Sequence, residues 1–167
     1  MKRYCLDTSG ITNPLESMPE DIYGGLWAQV RARIIAGAFA VTTEIFSELE
    51  HVLGPIGDCL KENQGSLVLE VGDESWPFPD YIEHAARMQV DHAQFIRENL
   101  GNKKGTVGLN DMSVIALAKC LALPVISMER RKAHQTDMLR QIPDICDSEA
   151  VVHMTFNDFL RAEGIKL

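Results

Sequence analysis

The sequence predicts an α/β fold in which helices cover both faces of a mostly parallel sheet. Short apolar runs typical of buried strands alternate along the chain with longer segments whose apolar residues recur at helical spacing. This alternation is typical of parallel sheets, because a parallel connection has to cross over and usually does so as a helix. With 167 residues, 46% of them hydrophobic, the chain is expected to form one domain, 1–167.

The first half of the chain is predicted to contain two strand–helix units. Its predicted elements are, in order, a strand at 3–6, a loop or broken helical turn at 11–19, a helix at 21–37, a strand at 39–42 and a helix beginning at 43. The first helix is predicted from Trp27, a core residue, and from apolar residues that recur every four positions: Ile22, Leu26, Val30 and Ile34. The second helix is predicted to be capped by Thr43 and to turn these residues inward: Ile45, Phe46, Leu49, Val52 and Leu53.

The second half continues the alternation. Its predicted elements are an extended run at 67–71, a long helix from 80 to about 100, a flexible loop at 101–108, a helix from about 112, strands at 123–127 and 151–155, and a short helix at 157–162. The helix from 112 is apolar nearly all round, which indicates that it is buried.

Composition excludes several classes of protein. The net charge is −8, which argues against a scaffold that binds long nucleic acids, since such domains are usually basic. An enzyme whose acids hold divalent cations is less affected, because the ions reverse the local field. No apolar run approaches the roughly 18 residues of a membrane span, and no secretory signal is visible, so a cytoplasmic protein is expected. The four cysteines lack metal-ligand spacing and are expected to be reduced thiols.

Four acids stand at positions where an α/β fold gathers ligands. Asp7 and Glu129 follow predicted strands, whereas Glu48 and Asp111 stand near predicted helix starts, where Asp111 could also be a plain N-cap. Glu44 precedes Glu48 by four residues on the same helix face. Periodicity alone leaves open whether this is a solvated acidic face at a helix start or whether one of the two acids points to Asp7. Clustered carboxylates repel one another, and a hard cation such as Mg²⁺ or Mn²⁺ would relieve the repulsion. Such a site can orient water toward a phosphodiester.

Four stretches carry a resemblance to a known family. They are Tyr-Cys-Leu-Asp7-Thr-Ser, Val-Thr-Thr-Glu44-Ile-Phe-Ser-Glu48-Leu, Asn-Asp111-Met-Ser-Val-Ile-Ala-Leu-Ala and Pro-Val-Ile-Ser-Met-Glu129. Together they resemble the PIN-domain family, in particular the bacterial VapC-type toxins and their longer relatives. The resemblance spans nearly the whole chain and implies a PIN-like three-layer α/β/α fold with a twisted, mostly parallel sheet. Relative to small toxins, residues from about 60 to 79 are then an insert that could carry the choice of partner or substrate.

The resemblance also implies a function, namely an Mg- or Mn-dependent endoribonuclease, the toxin of a toxin–antitoxin pair. It assigns the catalytic and metal-binding acids, first to fourth, as Asp7, Glu48, Asp111 and Glu129. Glu48 is preferred over Glu44 because the Glu-Leu pair matches the family, whereas the fourth acid departs from it, since that acid is commonly Asp. Thr8, Ser9 and Glu44 would support the site. The implied partners are an RNA substrate, an antitoxin protein and a second copy of the chain.

Two groups of basic residues are further candidates for contact with RNA phosphates, although exposed loops commonly carry such residues. They are Lys103, Lys104, Arg130, Arg131 and Lys132.

Two other functions stay open. One is a non-catalytic PIN-like module that binds RNA or a protein, which the presence of all four acids disfavours. The other is a different metal-dependent phosphodiesterase or a DNA nuclease on the same fold.

Overall fold

The sheet has four strands, all parallel. The computed structural model describes residues 1–166. The strands are β1 (Tyr4–Leu6), β2 (Phe39–Ala40), β3 (Val125–Ile126) and β4 (His153–Met154). Their order in the sheet is β2-β1-β3-β4. Because all strands run the same way, their carboxyl ends share one edge, where ligands gather in such folds.

Helices flank this sheet and connect its strands. They are α1 (Ser9–Ser17), α2 (Gly24–Ile35), α3 (Thr43–Leu49), α4 (Gly54–Glu62), α5 (Gln64–Leu67), α6 (Phe78–Asp91), α7 (Leu109–Leu121), α8 (Ile142–Glu149) and α9 (Phe156–Ala162). Two 3₁₀ turns, Ala93–Phe95 and Arg97–Leu100, follow α6. The predicted α/β fold with a parallel sheet flanked by helices is confirmed.

The core follows the predicted apolar pattern. Trp27 is fully buried and stacks on Phe156, with ring centroids 5.5 Å apart. Helix α7 is buried through most of its length, as its apolar sequence predicts. All four cysteines are free thiols. Within residues 1–166, no helix is long and apolar enough to cross a membrane.

The loop or broken helical turn predicted at 11–19 is instead a continuous helix through residue 17, where α1 ends. Pro14 lies inside the helix, where it lacks an N–H and crowds the preceding turn. The helix is held against the sheet by a close approach at Gly10, where a Cβ would lie 2.8 Å from the Ile126 carbonyl oxygen. Tertiary packing therefore outweighs the local effect of proline.

Two apolar residues predicted to face the core are exposed. Ile22 is 71% exposed because α2 begins two residues later, at Gly24. Leu53 is 81% exposed because α3 ends at Leu49. The chain turns at Gly54, which has a φ of 84°, and Pro55 stands in the first turn of α4, where a missing N–H costs nothing.

Three further boundaries differ from the prediction. Thr42, rather than Thr43, caps α3, and its hydroxyl accepts a hydrogen bond from the N–H of Ile45 at 3.3 Å. The long helix predicted from 80 ends at Asp91, and the two 3₁₀ turns follow. The extended run at 67–71 contributes one parallel bridge, between Val41 and Val68.

Candidate metal centre

Asp7 lies at the end of β1 and is almost completely buried, at 4% exposure. Its backbone N–H donates to the Ile126 carbonyl at 3.0 Å. The N–H and the hydroxyl of Ser9 both donate to Asp7 Oδ2, at 3.0 and 2.5 Å. The Ser9 oxygen in turn accepts from the N–H of Met128 at 3.0 Å. Ser9 therefore fixes the Asp7 carboxylate and ties the end of β1 to the end of β3.

Glu48 reaches the same edge from α3 and is held by two other elements. The Thr8 hydroxyl donates to Glu48 Oε2 at 2.6 Å, and Asn110 Nδ2 donates to Oε1 at 2.7 Å. These donors belong to the turn after β1 and to the start of α7. Asn110 stands directly before Asp111 in the sequence motif. The sequence pattern does not indicate that the Asn110 side chain contacts Glu48.

Asp111 stands at the third position of α7, not at its cap. Gly108 is the N-cap, and its N–H donates to Asp111 Oδ2 at 2.6 Å. The plain N-cap interpretation is therefore wrong in detail. The carboxylate satisfies one backbone donor at the helix start, in the manner of a capping box, and also faces the other acids.

Glu129 follows β3 by three residues, so the strand ends earlier than predicted. Its Oε2 accepts a hydrogen bond from the N–H of Ile142 at 2.7 Å, which connects it to the start of α8. The side chain is half-buried.

The four carboxylates act on one another electrostatically. Burial, helped by the charges of Asp111 and Glu48, raises the pKa of Asp7 to about 6, against the opposing effect of the Ser9 hydrogen bonds. Burial likewise raises the pKa of Glu129 to about 7, to which Asp111 and Asp7 contribute. The pKa of Asp111 is raised by burial and by Glu48. Residues far apart in the sequence are therefore brought together at one edge of the sheet.

The donor set fits a hard divalent cation. Four carboxylates offer only oxygen ligands, and their mutual repulsion is what a cation relieves. In the part of the chain that the structure describes, both side-chain hydrogen bonds of Asp7 go to Oδ2, which leaves Oδ1 for another ligand. The fit is one of donor chemistry, because among these same residues no group of three or more His, Cys, Asp or Glu side chains stands in an arrangement that could hold a metal ion.

Glu44 lies outside this cluster. It lines a groove between α3 and α6 and faces Tyr81. Burial raises the pKa of Tyr81 to about 12, and the charge of Glu44 contributes to the shift. Glu48 is therefore the acid of this helix that stands beside Asp7 and Asp111.

This arrangement predicts different effects for the two glutamates of α3. In Glu48→Gln, the loss of charge is expected to slow by about 10- to 100-fold the metal-dependent RNA cleavage that the sequence motifs predict, a loss typical of groups that tune a metal site. Glu44→Gln, the matched change one helical turn away, is expected to leave the rate within about twofold. Initial rates at fixed Mn²⁺ measure both. Equal losses in the two variants would contradict the assignment.

The predicted basic residues after β3 lie beside α8, whose acids hold two of them. The Arg131 guanidinium is held by Asp147, at 2.7 and 2.9 Å. Lys132 donates its backbone N–H to Asp144, at 2.8 and 3.0 Å to its two oxygens. Arg130 is exposed.

Lys103 and Lys104 lie in the loop before α7, as predicted. A cation that the sequence did not single out acts on the cluster instead. The charge of Arg97 lowers the pKa of both Asp111 and Glu129, against the larger effect of burial.

Comparison with solved structures finds several that are similar to this chain. DNA-bound VapBC from Salmonella typhimurium is 16% identical, with a TM-score of 0.49, covering 93% of this chain and 99% of that one. VapBC-5, a toxin–antitoxin system from Mycobacterium tuberculosis, is 21% identical, with a TM-score of 0.39, covering 83% and 94%. PAE2754 from Pyrobaculum aerophilum is 16% identical, with a TM-score of 0.41, covering 89% and 96%. The first two are VapBC systems, and the sequence motifs resemble VapC-type toxins.

No curated protein matches the chain at a significant level. One family model does match, and its description is "Domain of unknown function (DUF4411)". The match covers residues 4–167, which is nearly the entire sequence. The chain therefore belongs to the DUF4411 family.

Proposed function

We propose that this protein is a metal-dependent endoribonuclease. The observation that supports the proposal is that burial and the charges of neighbouring acids raise the pKa of Asp7, Asp111 and Glu129. With Glu48, these are the acids that the sequence motifs assign to the site. Perturbed carboxylates gathered at this edge are typical of functional sites.

The residues divide into ligands and positioning groups. Asp7 and Asp111, the two most central acids, would be the principal ligands of Mg²⁺ or Mn²⁺, and Glu48 and Glu129 would complete or orient the shell. When bound, the cation would activate a water and stabilise charge on the phosphodiester oxygens.

The positioning groups keep the carboxylates in place before any ligand arrives. Ser9 holds Asp7 through two hydrogen bonds to the same oxygen. Thr8 and Asn110 clamp Glu48 from two sides. These contacts limit the rotation of side chains that would otherwise move apart, because like charges repel.

The biological setting proposed here is that of a toxin. The motif resemblance to VapC-type toxins supports an RNA substrate, an antitoxin partner and a homodimer, all of which stay predictions. A gene for a small protein beside this one would be the first observation to seek.

A side-by-side cleavage assay tests the proposed function. The purified chain is incubated with single-stranded RNA and with DNA of the same sequence, in Mg²⁺, in Mn²⁺ and in EDTA. We expect cleavage of RNA in either metal and none in EDTA, because only the metal relieves the repulsion among the acids. Cleavage of DNA alone would indicate a DNA nuclease. Absence of all cleavage, together with no metal-dependent rise in melting temperature, would favour a non-catalytic binding module.

A further inference from the structure

The candidate site needs a positive charge that its acids do not provide. The chain carries a net charge of −8, and four carboxylates meet at the site, so an RNA phosphate approaching it would be repelled. A cation at the rim of the site would reduce this cost, and Arg97 is placed to supply it.

The main chain of Arg97 is fixed beside the start of α7. Its N–H donates to the Val107 carbonyl at 2.7 Å, and its own carbonyl accepts from the N–H of Asn102 at 2.9 Å. Arg97 therefore stands opposite the residues that lead directly into Asp111.

The guanidinium packs against the backbone of Gly108. A Cβ added to Gly108 would lie 2.1 Å from Arg97 Nη2 and 2.8 Å from Cζ. The N–H of this same glycine donates to Asp111 Oδ2 at 2.6 Å. A cation in contact with Gly108 is therefore a close neighbour of the Asp111 carboxylate.

Within residues 1–166, the Arg97 guanidinium makes a single hydrogen bond, which leaves most of its donors available. Its ion pair with Glu98 is long, at 3.5 Å, and the second oxygen of Glu98 accepts from the N–H of Leu109 at 3.1 Å. By contrast, the guanidinium of Arg131 is held by two short bonds to Asp147. A guanidinium has five N–H donors in a planar fork that matches a phosphate.

We propose that Arg97 contacts a phosphate of the RNA substrate beside Asp111, while Gly108 leaves the space for its guanidinium. This inference rests on the proposed ribonuclease function. It assigns the phosphate contact to a residue outside the two basic groups that the sequence suggested.

The test compares Arg97→Gln and Gly108→Ala with Arg161→Gln, a control at an exposed arginine of α9 whose pair with Asp158 is 3.0 Å long. Gly108 has an ordinary extended backbone, φ −106° and ψ 177°, so alanine is expected to displace the Arg97 side chain rather than disturb the fold. All three are made in the Asp7→Asn chain, in which RNA is expected to bind without being cleaved. The probe is a fluorescein-labelled single-stranded RNA of randomised sequence.

We expect Arg97→Gln to weaken RNA binding by about 10- to 100-fold, the usual size of a lost charge-assisted hydrogen bond. Gly108→Ala is expected to weaken it in the same direction, and Arg161→Gln to leave it unchanged. The slope of log affinity against log salt should fall by about 0.7 in Arg97→Gln, as for one lost phosphate contact on a single strand.

Manganese binding separates a phosphate contact from a purely structural role. In a chain with Asp7 intact, Arg97→Gln is expected to bind Mn²⁺ alone as tightly as the unaltered chain or more tightly, because a like charge near the cation has been removed. RNA binding equal to that of the Arg161→Gln control would overturn the inference. So would a joint loss of Mn²⁺ affinity and melting temperature. If the unaltered chain does not cleave RNA at all, the proposed function fails first, and the inference fails with it.

Discussion

Replacing Asp7 with asparagine is expected to reduce metal-dependent RNA cleavage by about a thousandfold or more, since a central metal ligand supplies several kcal/mol of transition-state stabilisation. Asp7 is the most buried of the four acids, and the described contacts leave its Oδ1 without a protein donor. Asparagine has the same shape, and its carbonyl can still accept both hydrogen bonds from Ser9. The variant therefore removes the charge with little change in the local structure. Single-turnover cleavage rates in Mn²⁺ measure the effect.

The control for this variant is Asp58→Asn, an exposed aspartate on α4. It makes the same chemical change at an exposed side chain outside the four acidic motifs, and cleavage within about twofold of the unaltered protein is expected. Melting curves of both variants show whether the fold is kept. Undiminished cleavage by Asp7→Asn would eliminate the proposed site, whatever the remaining acids do.

The sequence could predict where these acids lie, because the place of a residue in a parallel strand–helix pattern determines the edge of the sheet at which it lies. Asp7 follows a strand and Asp111 stands near a helix start, and in a parallel sheet these places meet at one edge. Glu48, which was also expected near a helix start, lies instead in the last turn of the short helix α3, and it reaches the site only because that helix ends at Leu49. Periodicity could not decide between Glu44 and Glu48, because it places both residues on one helix face. The contacts that distinguish Glu48 come from Thr8 and Asn110, in other parts of the chain.

Other features depended on tertiary contacts that no local pattern contains. The helix through Pro14 exists because Gly10 packs against β3, so a strong local signal for a loop was overruled. The position of Arg97 depends on the early end of α6 at Asp91 and on the 3₁₀ turns that follow. A single continuous helix, as predicted from 80 to about 100, would have left Arg97 as an ordinary surface residue.

The metal-free protein is expected to lose stability as pH rises from about 4.5 to 8. The folded pKa of Asp7 is about 6 and that of Glu129 about 7, above the 3.8 and 4.5 that these side chains have when exposed to water. Folding therefore favours the protonated carboxyls, and their contribution is present below the unfolded pKa and lost as pH rises through the folded one. For Asp7 the difference corresponds to about 3 kcal/mol in the free energy of unfolding. Urea unfolding across this pH range measures it.

Other groups determine how the stability of the protein falls at acidic pH. Hydrogen bonds from Arg87, His92 and Lys119 hold the pKa of Glu149 at about 2, against the opposing effect of burial. This acid contributes stability above its unfolded pKa, which is lost as pH falls through the folded one. Metal-free stability is therefore expected to reach its maximum at about pH 4.5, by the balance of these two effects.

The variant Asp7→Asn measures how much Asp7 contributes to the loss of stability as pH rises. The variant is expected to be more stable than the unaltered metal-free chain by about 2–3 kcal/mol at pH 8 and nearly equal to it at pH 4. Burial lowers the pKa of His153, which favours the folded state as pH rises, but this effect is common to both chains and cancels in their difference. If the free energy of unfolding of the two chains changed with pH in the same way, the raised pKa predicted for Asp7 would be wrong.

Mn²⁺ should reverse the order of the two chains. At a concentration of about 100 times its Kd, the cation is expected to stabilise the unaltered chain by about 2.7 kcal/mol, because it binds the folded state alone. Asp7→Asn should gain little, having lost a principal ligand. One substitution is thus predicted to raise stability without metal and to remove stabilisation by metal. Overpacking or a lost hydrogen bond would destabilise the chain both with and without Mn²⁺. Opposite changes in stability in the two conditions are therefore expected only if Asp7 is a carboxylate that binds the cation.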